Sequence, residues 1–202
     1  MIRKFVLMLL LMPAAVFAAD APVCKIDPVL PDNYFPHVKL ETSMGDIVVE
    51  LDTMRAPVAA NNFLRYVQEG EYDNTVFHRI EKKFVVQGGG YNDKFEQLTI
   101  HESICNESGN GLKNIMGSIG MARFSDPHSA TRQFYFNIND NKSLDPEASH
   151  WGYAVFGNVF SGMEVLEEMS KVKTGYNEYL NAESVPKKNI MLIKATILAE
   201  EL

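Results

Sequence analysis

Several features that mark other classes of protein are missing from this chain of 202 residues. It contains no basic run, and 26 acidic residues outnumber 19 basic ones, which excludes nucleic acid as a main partner held by counterion release. No apolar stretch approaches the roughly 18 residues that a membrane-spanning helix requires. The five histidines have neither paired helical spacing nor a Cys-x-x-Cys companion, so we expect no metal and no cofactor.

The first residues have the pattern of a secretory signal peptide. Two basic residues precede a short apolar core, Phe5–Met12, which a proline ends. Small residues then stand at the two positions that a signal peptidase reads, so residues 1–18 are predicted to be removed after Ala18. Residues 19–36 contain four prolines and predict an extended lead-in, followed by a single domain over 37–202.

Cysteine is scarce, and the only two such residues are Cys24 and Cys105. An exported chain would meet an oxidising compartment, where a disulfide is permitted. The closed loop would span about 80 residues, for which the chain-entropy model allows roughly 4 kcal/mol. The sequence leaves open whether the two form a disulfide or remain thiols, because it does not show whether their Cα atoms come within reach.

Short strand patterns dominate the domain, and only two helices are indicated. A hairpin is predicted over His37–Leu51, and the first helix begins at Pro57 and ends at Gly70. Further strands are predicted at 76–80, 84–87, 118–122, 134–138, 153–159 and 190–198, with a second helix at 163–172. Many short strands with two helices predict a mainly β fold, a closed or nearly closed antiparallel barrel.

The most informative segment is FHRIEKKFVVQGGG at 77–90, which places Arg79 between two apolar runs. A guanidinium cannot be neutralised, and its five N–H donors need partners. Arg79 could be solvated at a strand end, or it could bind a structural acceptor or a ligand carbonyl, and the segment alone favours neither. Its neighbour His78 should point to the opposite face of the strand and is interpreted as structural rather than as a catalytic base.

Together with GSIGMAR at 117–123, SATRQFYFNI at 129–138 and GYAVFGNVFSGMEVLEEM at 152–169, this segment resembles the cyclophilin-type peptidyl-prolyl cis/trans isomerases. The resemblance covers about 37–200 and is nearest to short, exported bacterial members. It implies a closed eight-stranded antiparallel barrel with a helix over each open end and a site on its outer face. It also implies a periplasmic location, with a eukaryotic secretory compartment as the alternative.

The resemblance extends to the site. Arg79 matches the family's catalytic arginine. The matches to residues that line the proline pocket, flank it or contact the peptide backbone are Phe84, Val85, Gln87, Ala122, Arg123, Gln133, Tyr135, Leu144 and Tyr153. Each apolar member, taken alone, could equally belong to the barrel core, and only the joint match with Arg79 and Gln87 favours a pocket.

Isomerisation of an X-Pro bond would need a pocket for the proline ring and a donor for the twisted amide, but no nucleophile, metal or cofactor. The expected partners are proline-containing segments of unfolded or folding exported proteins, bound by a monomer. The alternative is a module that captures such segments without turnover. Arg79 favours the enzyme, because capture of an apolar ring does not require a cation.

The sequence departs from the family at four places. Glu81–Lys83 replaces a loop that is usually apolar and contains proline, and Gly90 stands where an acidic residue is common. Tyr135 replaces a usual phenylalanine and adds a hydroxyl that needs water or a partner. Ser143 stands where members that bind cyclosporin tightly have tryptophan, so weak binding of that drug is predicted.

Overall fold

The computed structural model describes residues 21–199, so the predicted signal peptide lies outside the described residues. Strands and helices follow one another as β1 His37–Thr42, β2 Gly45–Leu51, α1 Pro57–Gln68, β3 Thr75–Glu81, β4 Val85–Asn92, β5 Ser118–Met121, β6 Phe134–Asn137, a 3-10 turn at Lys142–Leu144, β7 Val155–Ser161, α2 Met163–Met169, β8 Thr174–Asn177, β9 Ala182–Pro186 and β10 Met191–Ile197. No helix within 21–199 combines the length and apolarity needed to cross a membrane.

Eight of these strands close into an antiparallel barrel in the order β1-β10-β3-β4-β6-β5-β7-β2. Closure gives every barrel strand a partner on both sides, so no edge of the barrel is left to pair with another chain. The predicted mainly β fold, an eight-stranded barrel with two helices, is confirmed. The separate hairpin of β8 and β9 was not predicted, because its short, half-exposed strands lack an alternating apolar pattern.

Helix α1 packs on the barrel through a face whose members are all buried, namely Ala59, Phe63, Tyr66 and Val67. Its first turn contains no acidic residue, and its N-cap, an alanine, provides no side-chain acceptor. Glu107, from a distant loop, accepts hydrogen bonds from two backbone amides of that first turn, at 3.0 and 2.8 Å. The orphan donors of the helix are thus satisfied by a long-range contact.

Helix α2 packs against β2 and ends at Met169, three residues before the predicted end. Beyond that point the backbone tightens, since Lys171 N donates to Glu168 O and Val172 N to Met169 O. These i to i+3 bonds are a common way to satisfy the last carbonyls of a helix. Val172 still packs against the core, which explains why it continues the apolar pattern of the helix.

The barrel interior is filled with aromatic side chains. Phe134 packs edge-on against Phe63, Phe77 and Phe136, with ring centroids 5.3 to 6.2 Å apart. Gly89, with φ of +82°, allows the backbone of β4 to lie against this cluster, because a Cβ there would come within 2.9 Å of the Phe134 ring. Aromatic side chains thus fill this part of the interior, as is usual in an eight-stranded barrel.

The described part of the lead-in is attached to the domain by a disulfide between Cys24 and Cys105, whose Cα atoms are 4.8 Å apart. Beside it, Val23 N donates to Ser103 O at 2.7 Å and Cys105 N donates to Val23 O at 2.9 Å. The pairing that the sequence left open is therefore present in the structure. It connects a segment near the start of the described chain to the long loop between β4 and β5.

His78 lies on β3 with its side chain buried, and its ring meets that of Tyr91 edge-on at 4.7 Å. Burial lowers the pKa of His78 to about 4, and the positive charge of Arg79 acts in the same direction. The folded protein therefore keeps His78 neutral at neutral pH. This agrees with its interpretation as a structural histidine.

We predict that His78 makes the fold acid-sensitive. Because its folded pKa of about 4 lies below the ordinary 6.5, the unfolded chain binds a proton between these values that the folded chain does not. The free energy of unfolding should fall by about 3 kcal/mol as the pH is lowered through this window. Urea denaturation at a series of pH values, with His78→Gln as the comparison, measures this component. Equal pH dependence of the two proteins would contradict it.

Candidate active site

The site begins with a row of side chains across neighbouring strands. Arg79 on β3 pairs with Gln87 on β4, Gln87 pairs with Tyr135 on β6, and Tyr135 pairs with Gly120 on β5. Paired residues in a sheet project to the same face. Since the neighbours of Tyr135, Phe134 and Phe136, point into the core, this row lies on the opposite, outer face of the barrel.

A cavity of about 200 Å³ lies over this row. Nine residues line it, and all of them belong to the set that the sequence analysis predicted: Arg79, Phe84, Val85, Gln87, Ala122, Arg123, Tyr135, Leu144 and Tyr153. The tenth predicted residue, Gln133, lines a larger neighbouring cavity instead. The structure thus brings the predicted residues together, and their roles in binding and catalysis stay predictions.

Three of these residues lie outside the strands that were predicted to contain them, because Ala122 follows β5 while Phe84 and Tyr153 precede β4 and β7. Phe84 precedes β4 in a turn in which its amide donates to Glu81 O, and Lys83 adopts a positive φ of 60°. Tyr153 precedes β7, and its amide donates to Leu144 O at 2.8 Å. Phe84 and Tyr153 therefore reach the cavity from its rim, because irregular backbone lets them leave the pleat of the sheet.

The Arg79 guanidinium is partly exposed, at 39%, and is oriented by neighbouring side chains. Its Nε and Nη2 donate to one carboxylate oxygen of Glu81, at 3.0 and 2.5 Å, and Nη1 donates to Gln87 Oε1 at 3.0 Å. The Phe84 ring centroid lies 6.0 Å from its central carbon. Of the five N–H donors of an arginine, two are thus left for a ligand in the cavity.

Two hydrogen bonds connect Arg79 to Gln87 and Gln87 to Gln133. Gln87 Nε2 donates to Gln133 Oε1 at 2.8 Å, which leaves Gln87 Oε1 as the acceptor for Arg79. The amide of Ala122 donates to the backbone oxygen of Gln133 at 2.9 Å. Gln133 therefore lies at the boundary between the small cavity and its larger neighbour, and it fixes the orientation of Gln87.

Tyr135 lies at the base of the cavity and is 97% buried, so its hydroxyl cannot rely on water. The hydroxyl donates to Asn114 Oδ1 at 2.5 Å, and burial raises the pKa of Tyr135 well above its usual range. Gly120 gives the ring its space, because a Cβ at that position would lie 2.6 Å from the Tyr135 oxygen. The extra hydroxyl noted in the sequence is thus satisfied inside the protein.

A buried network of asparagines supports the cavity from behind, and the sequence analysis missed it. Asn137 Nδ2 donates to Asn114 Oδ1 at 3.1 Å, and Asn141 Nδ2 donates to Asn137 Oδ1 at 2.6 Å and to Phe84 O at 2.9 Å. Asn114 Nδ2 also donates to Tyr153 O at 3.3 Å. One network therefore holds three lining residues. No local sequence pattern indicates it, because Asn114 is far in sequence from its partners.

Arg123 forms another wall, and its charge is stabilised by backbone oxygens. Its Nη1 donates to Phe124 O at 2.8 Å, Nη2 to Trp151 O at 2.8 Å and Nε to Gly152 O at 3.2 Å. The guanidinium stacks over the Tyr153 ring at 4.4 Å from its centroid. Arg123 is thus held by backbone oxygens, whereas Arg79 is held by side chains.

Within residues 21–199, one group of side chains could in principle hold a metal ion. Ligand atoms of Glu69, Glu71 and His101 lie within 4.8 Å of one another. His101 Nε2 is 3.2 Å from a Glu69 oxygen, and Arg132 Nη1 is 3.7 Å from a Glu71 oxygen. Basic side chains already stand beside both carboxylates, and none of the three residues lines the 200 Å³ cavity.

The sequence of the domain matches a known protein family and resembles known bacterial proteins. Residues 37–197 match the model of the family described as cyclophilin type peptidyl-prolyl cis-trans isomerase/CLD. The chain is 45% identical over 163 residues to peptidyl-prolyl cis-trans isomerase A of Dickeya dadantii, an alignment that covers 80% of this chain and 84% of the relative. It is 40% identical over 163 residues to isomerase B of Escherichia coli, covering 79% and 98%.

The fold has solved counterparts as well. A crystal structure of a cyclophilin type peptidyl-prolyl cis-trans isomerase from Cryptosporidium parvum superposes with a TM-score of 0.68 at 24% identity, covering 83% of this chain and 100% of the other. This likeness shows the fold, while the family match and the bacterial relatives show the activity class. The chain therefore belongs to the family of cyclophilin-type peptidyl-prolyl cis-trans isomerases.

Proposed function

We propose that this isomerase accelerates rotation of X-Pro bonds in exported proteins that are unfolded or still folding, with Arg79 as the catalytic residue. The observation that carries the proposal is the oriented Arg79 guanidinium, which keeps two free donors beside a cavity of about 200 Å³ lined by Phe84, Tyr135 and Leu144. An apolar pocket and a fixed donor are the two parts that this reaction requires.

The chemistry follows from the amide. Rotation about the bond before proline breaks the resonance that gives the C–N bond its double-bond character, at a barrier of about 18–20 kcal/mol. As the bond twists, the prolyl nitrogen regains its lone pair and becomes an acceptor. A donor that contacts this nitrogen binds the twisted amide more tightly than the planar one, and only such differential binding speeds the reaction. A donor to the carbonyl of the proline itself would hold the substrate in place.

The pocket would hold the ring still while the preceding carbonyl rotates. The pyrrolidine ring offers no donor, so its partners are the apolar surfaces of Phe84, Leu144 and the Tyr135 ring. The Tyr135 hydroxyl is bonded to Asn114, so the base of the pocket presents carbon to the substrate. Glu81 and Gln87 would keep the guanidinium at the mouth of the pocket, because together they occupy three of its donors.

We also propose a periplasmic location and action as a monomer. The signal-peptide pattern of residues 1–18 supports export, and the disulfide between Cys24 and Cys105 supports an oxidising compartment. All nine residues that line the cavity come from one chain, so the site requires no second subunit.

Replacement of Arg79 tests the mechanism. We expect Arg79→Ala to lower kcat/KM for a short X-Pro peptide about a hundredfold, as removal of one transition-state donor typically does. Arg79→Lys should recover little, because an ammonium lacks the planar fork that contacts Glu81 and Gln87 together. NMR exchange measurements report the rate, and the exposed Lys82→Ala is the matched control.

Two outcomes would contradict this assignment. If Arg79→Ala matches the parent, Arg79 is not the catalytic donor. If the folded parent binds the peptide without accelerating exchange, the protein is a capture module and not a working isomerase.

Glu81 provides a second prediction, because this carboxylate belongs to the charged segment that departs from the family and yet accepts two hydrogen bonds from Arg79. We expect Glu81→Ala to lower kcat about fivefold with little change in KM, since Arg79 would lose the partner that orients its fork. Glu81→Gln keeps an acceptor and should restore most of the rate. A kcat for Glu81→Ala above that of the parent would show that Glu81 competes with substrate instead of orienting Arg79.

Cyclosporin binding depends on a neighbouring position. Ser143 is exposed on the 3-10 turn directly before the lining residue Leu144 and offers no large apolar surface. We predict a dissociation constant weaker than about 1 μM, and an affinity at least about tenfold higher for Ser143→Trp, which adds an aromatic surface and an indole donor. Titration calorimetry measures both, with Lys142→Trp as the control, and submicromolar binding by the parent would contradict the prediction.

A further inference from the structure

A cluster of three possible metal ligands lies apart from the proposed proline pocket. It consists of Glu69, Glu71 and His101, whose ligand atoms lie within 4.8 Å of one another. His101 Nε2 is 3.2 Å from Glu69 Oε2 and 3.6 Å from Glu71 Oε1. Two ligand atoms on a tetrahedral zinc ion, with bonds of about 2.0 to 2.2 Å, stand about 3.3 to 3.6 Å apart. The separations measured from His101 Nε2 are therefore close to those around a bound metal ion.

The fold holds the imidazole of this cluster in a fixed orientation. Glu69 caps the C-terminal end of α1 and Glu71 follows in the turn before β3, whereas His101 belongs to the long loop between β4 and β5. The His101 ring stacks on the ring of Tyr66, in the last turn of α1, with centroids 4.3 Å apart and an angle of 12° between the planes. The backbone amide of His101 also donates to the Tyr66 hydroxyl at 2.8 Å. One helix thus carries a ligand and positions the ligand that comes from the loop.

Arg132 stands beside the cluster without filling it. Its guanidinium donates to three backbone oxygens and is 3.7 Å from Glu71 Oε2, while the other oxygen of this carboxylate faces His101. Glu71 Oε2 is shielded from solvent, and no residue between 21 and 199 donates a hydrogen bond to it. With a neutral imidazole, Glu69 and Glu71 contribute two negative charges and Arg132 one positive charge. The cluster therefore has a net negative charge, which favours a bound cation.

The types of ligand favour zinc over calcium or magnesium. Zinc binds imidazole nitrogen together with carboxylate oxygen, whereas calcium and magnesium take oxygen ligands. Three protein ligands leave one tetrahedral position for water. An ion can reach the cluster from solvent, because His101 lines a surface cavity of about 810 Å³ and Glu71 lines another of about 400 Å³.

We infer that Glu69, Glu71 and His101 form a zinc site, which fastens the loop between β4 and β5 to the C-terminal end of α1. None of the three residues lines the proline pocket, so the zinc site does not depend on the proposed function. Zinc that binds only the folded chain raises the free energy of unfolding. Sequence spacing does not reveal the site, because His101 is far in sequence from the two glutamates.

Calorimetric titration of zinc chloride into the oxidised mature chain tests the site. The disulfide between Cys24 and Cys105 has to stay intact, because free thiolates would bind zinc themselves. We expect one zinc ion per chain. Loss of the imidazole in His101→Ala, or of both charges in Glu69→Gln combined with Glu71→Gln, should lower the zinc affinity at least about tenfold.

His150→Ala is the matched control. This exposed histidine also has a carboxylate beside it, since its Nδ1 is 3.8 Å from an oxygen of Glu147. It lies outside the cluster, so the zinc affinity of the control should equal that of the parent. Circular dichroism of each variant checks that the barrel is folded.

NMR of the histidine ring nitrogens in the parent locates the zinc ion without any substitution. Addition of zinc should shift the Nε2 resonance of His101 and leave the resonances of His78 and His150 in place. In thermal unfolding, zinc at about a hundredfold excess over its dissociation constant should raise the Tm of the parent by about 5 to 10 °C. The Tm of His101→Ala should stay nearly unchanged.

Any of three results would overturn the inference. A folded parent that binds no zinc at about 1 mM shows that a proton alone holds the cluster together. Equal affinity in the parent and His101→Ala, or an unshifted His101 resonance in the zinc-bound parent, shows that the ion binds elsewhere on the protein. Displacement of zinc by an equal concentration of calcium shows a site made of carboxylates only.

Discussion

Closure of the barrel around a packed aromatic interior is the constraint on which the rest of this protein depends. Phe63, Phe77, Phe134 and Phe136 occupy the space that a larger barrel would offer to a ligand. The proposed site accordingly lies on the outer face, where strand alternation presents the other set of side chains. On β6, for example, Phe134 points inward, and its neighbour Tyr135 therefore points outward to the proposed site.

On that outer face, polar side chains hold the lining residues of the cavity in position, and apolar side chains form part of its surface. Buried asparagines satisfy the Tyr135 hydroxyl and hold backbone oxygens at the rim, which is why a tyrosine can serve where relatives have phenylalanine. Arg123 donates to backbone oxygens of its own loops, while Arg79 donates to the side chains of Glu81 and Gln87. The difference between the two arginines lies in their partners and not in the residue type.

The departures from the family acquire meaning only in this setting. Glu81 looks in sequence like part of a charged loop, yet it contacts Arg79 because residues two apart on a strand share a face. Gly90 stands where an acidic residue is common, and a Cβ there would lie 2.7 Å from the Gln133 side chain. Both changes therefore lie next to residues of the proposed site, Arg79 and Gln133.

The sequence by itself determined the fold class, the two helices and most strands, because alternation, helical spacing and glycine and proline positions are local signals. With the family motifs it also identified the nine residues that line the pocket. The tertiary structure alone decided the pairing of Cys24 with Cys105, the capping of α1 by Glu107 and the asparagine network behind Tyr135. Each of these joins residues far apart in the chain, and only the closed barrel fixes the distances between them.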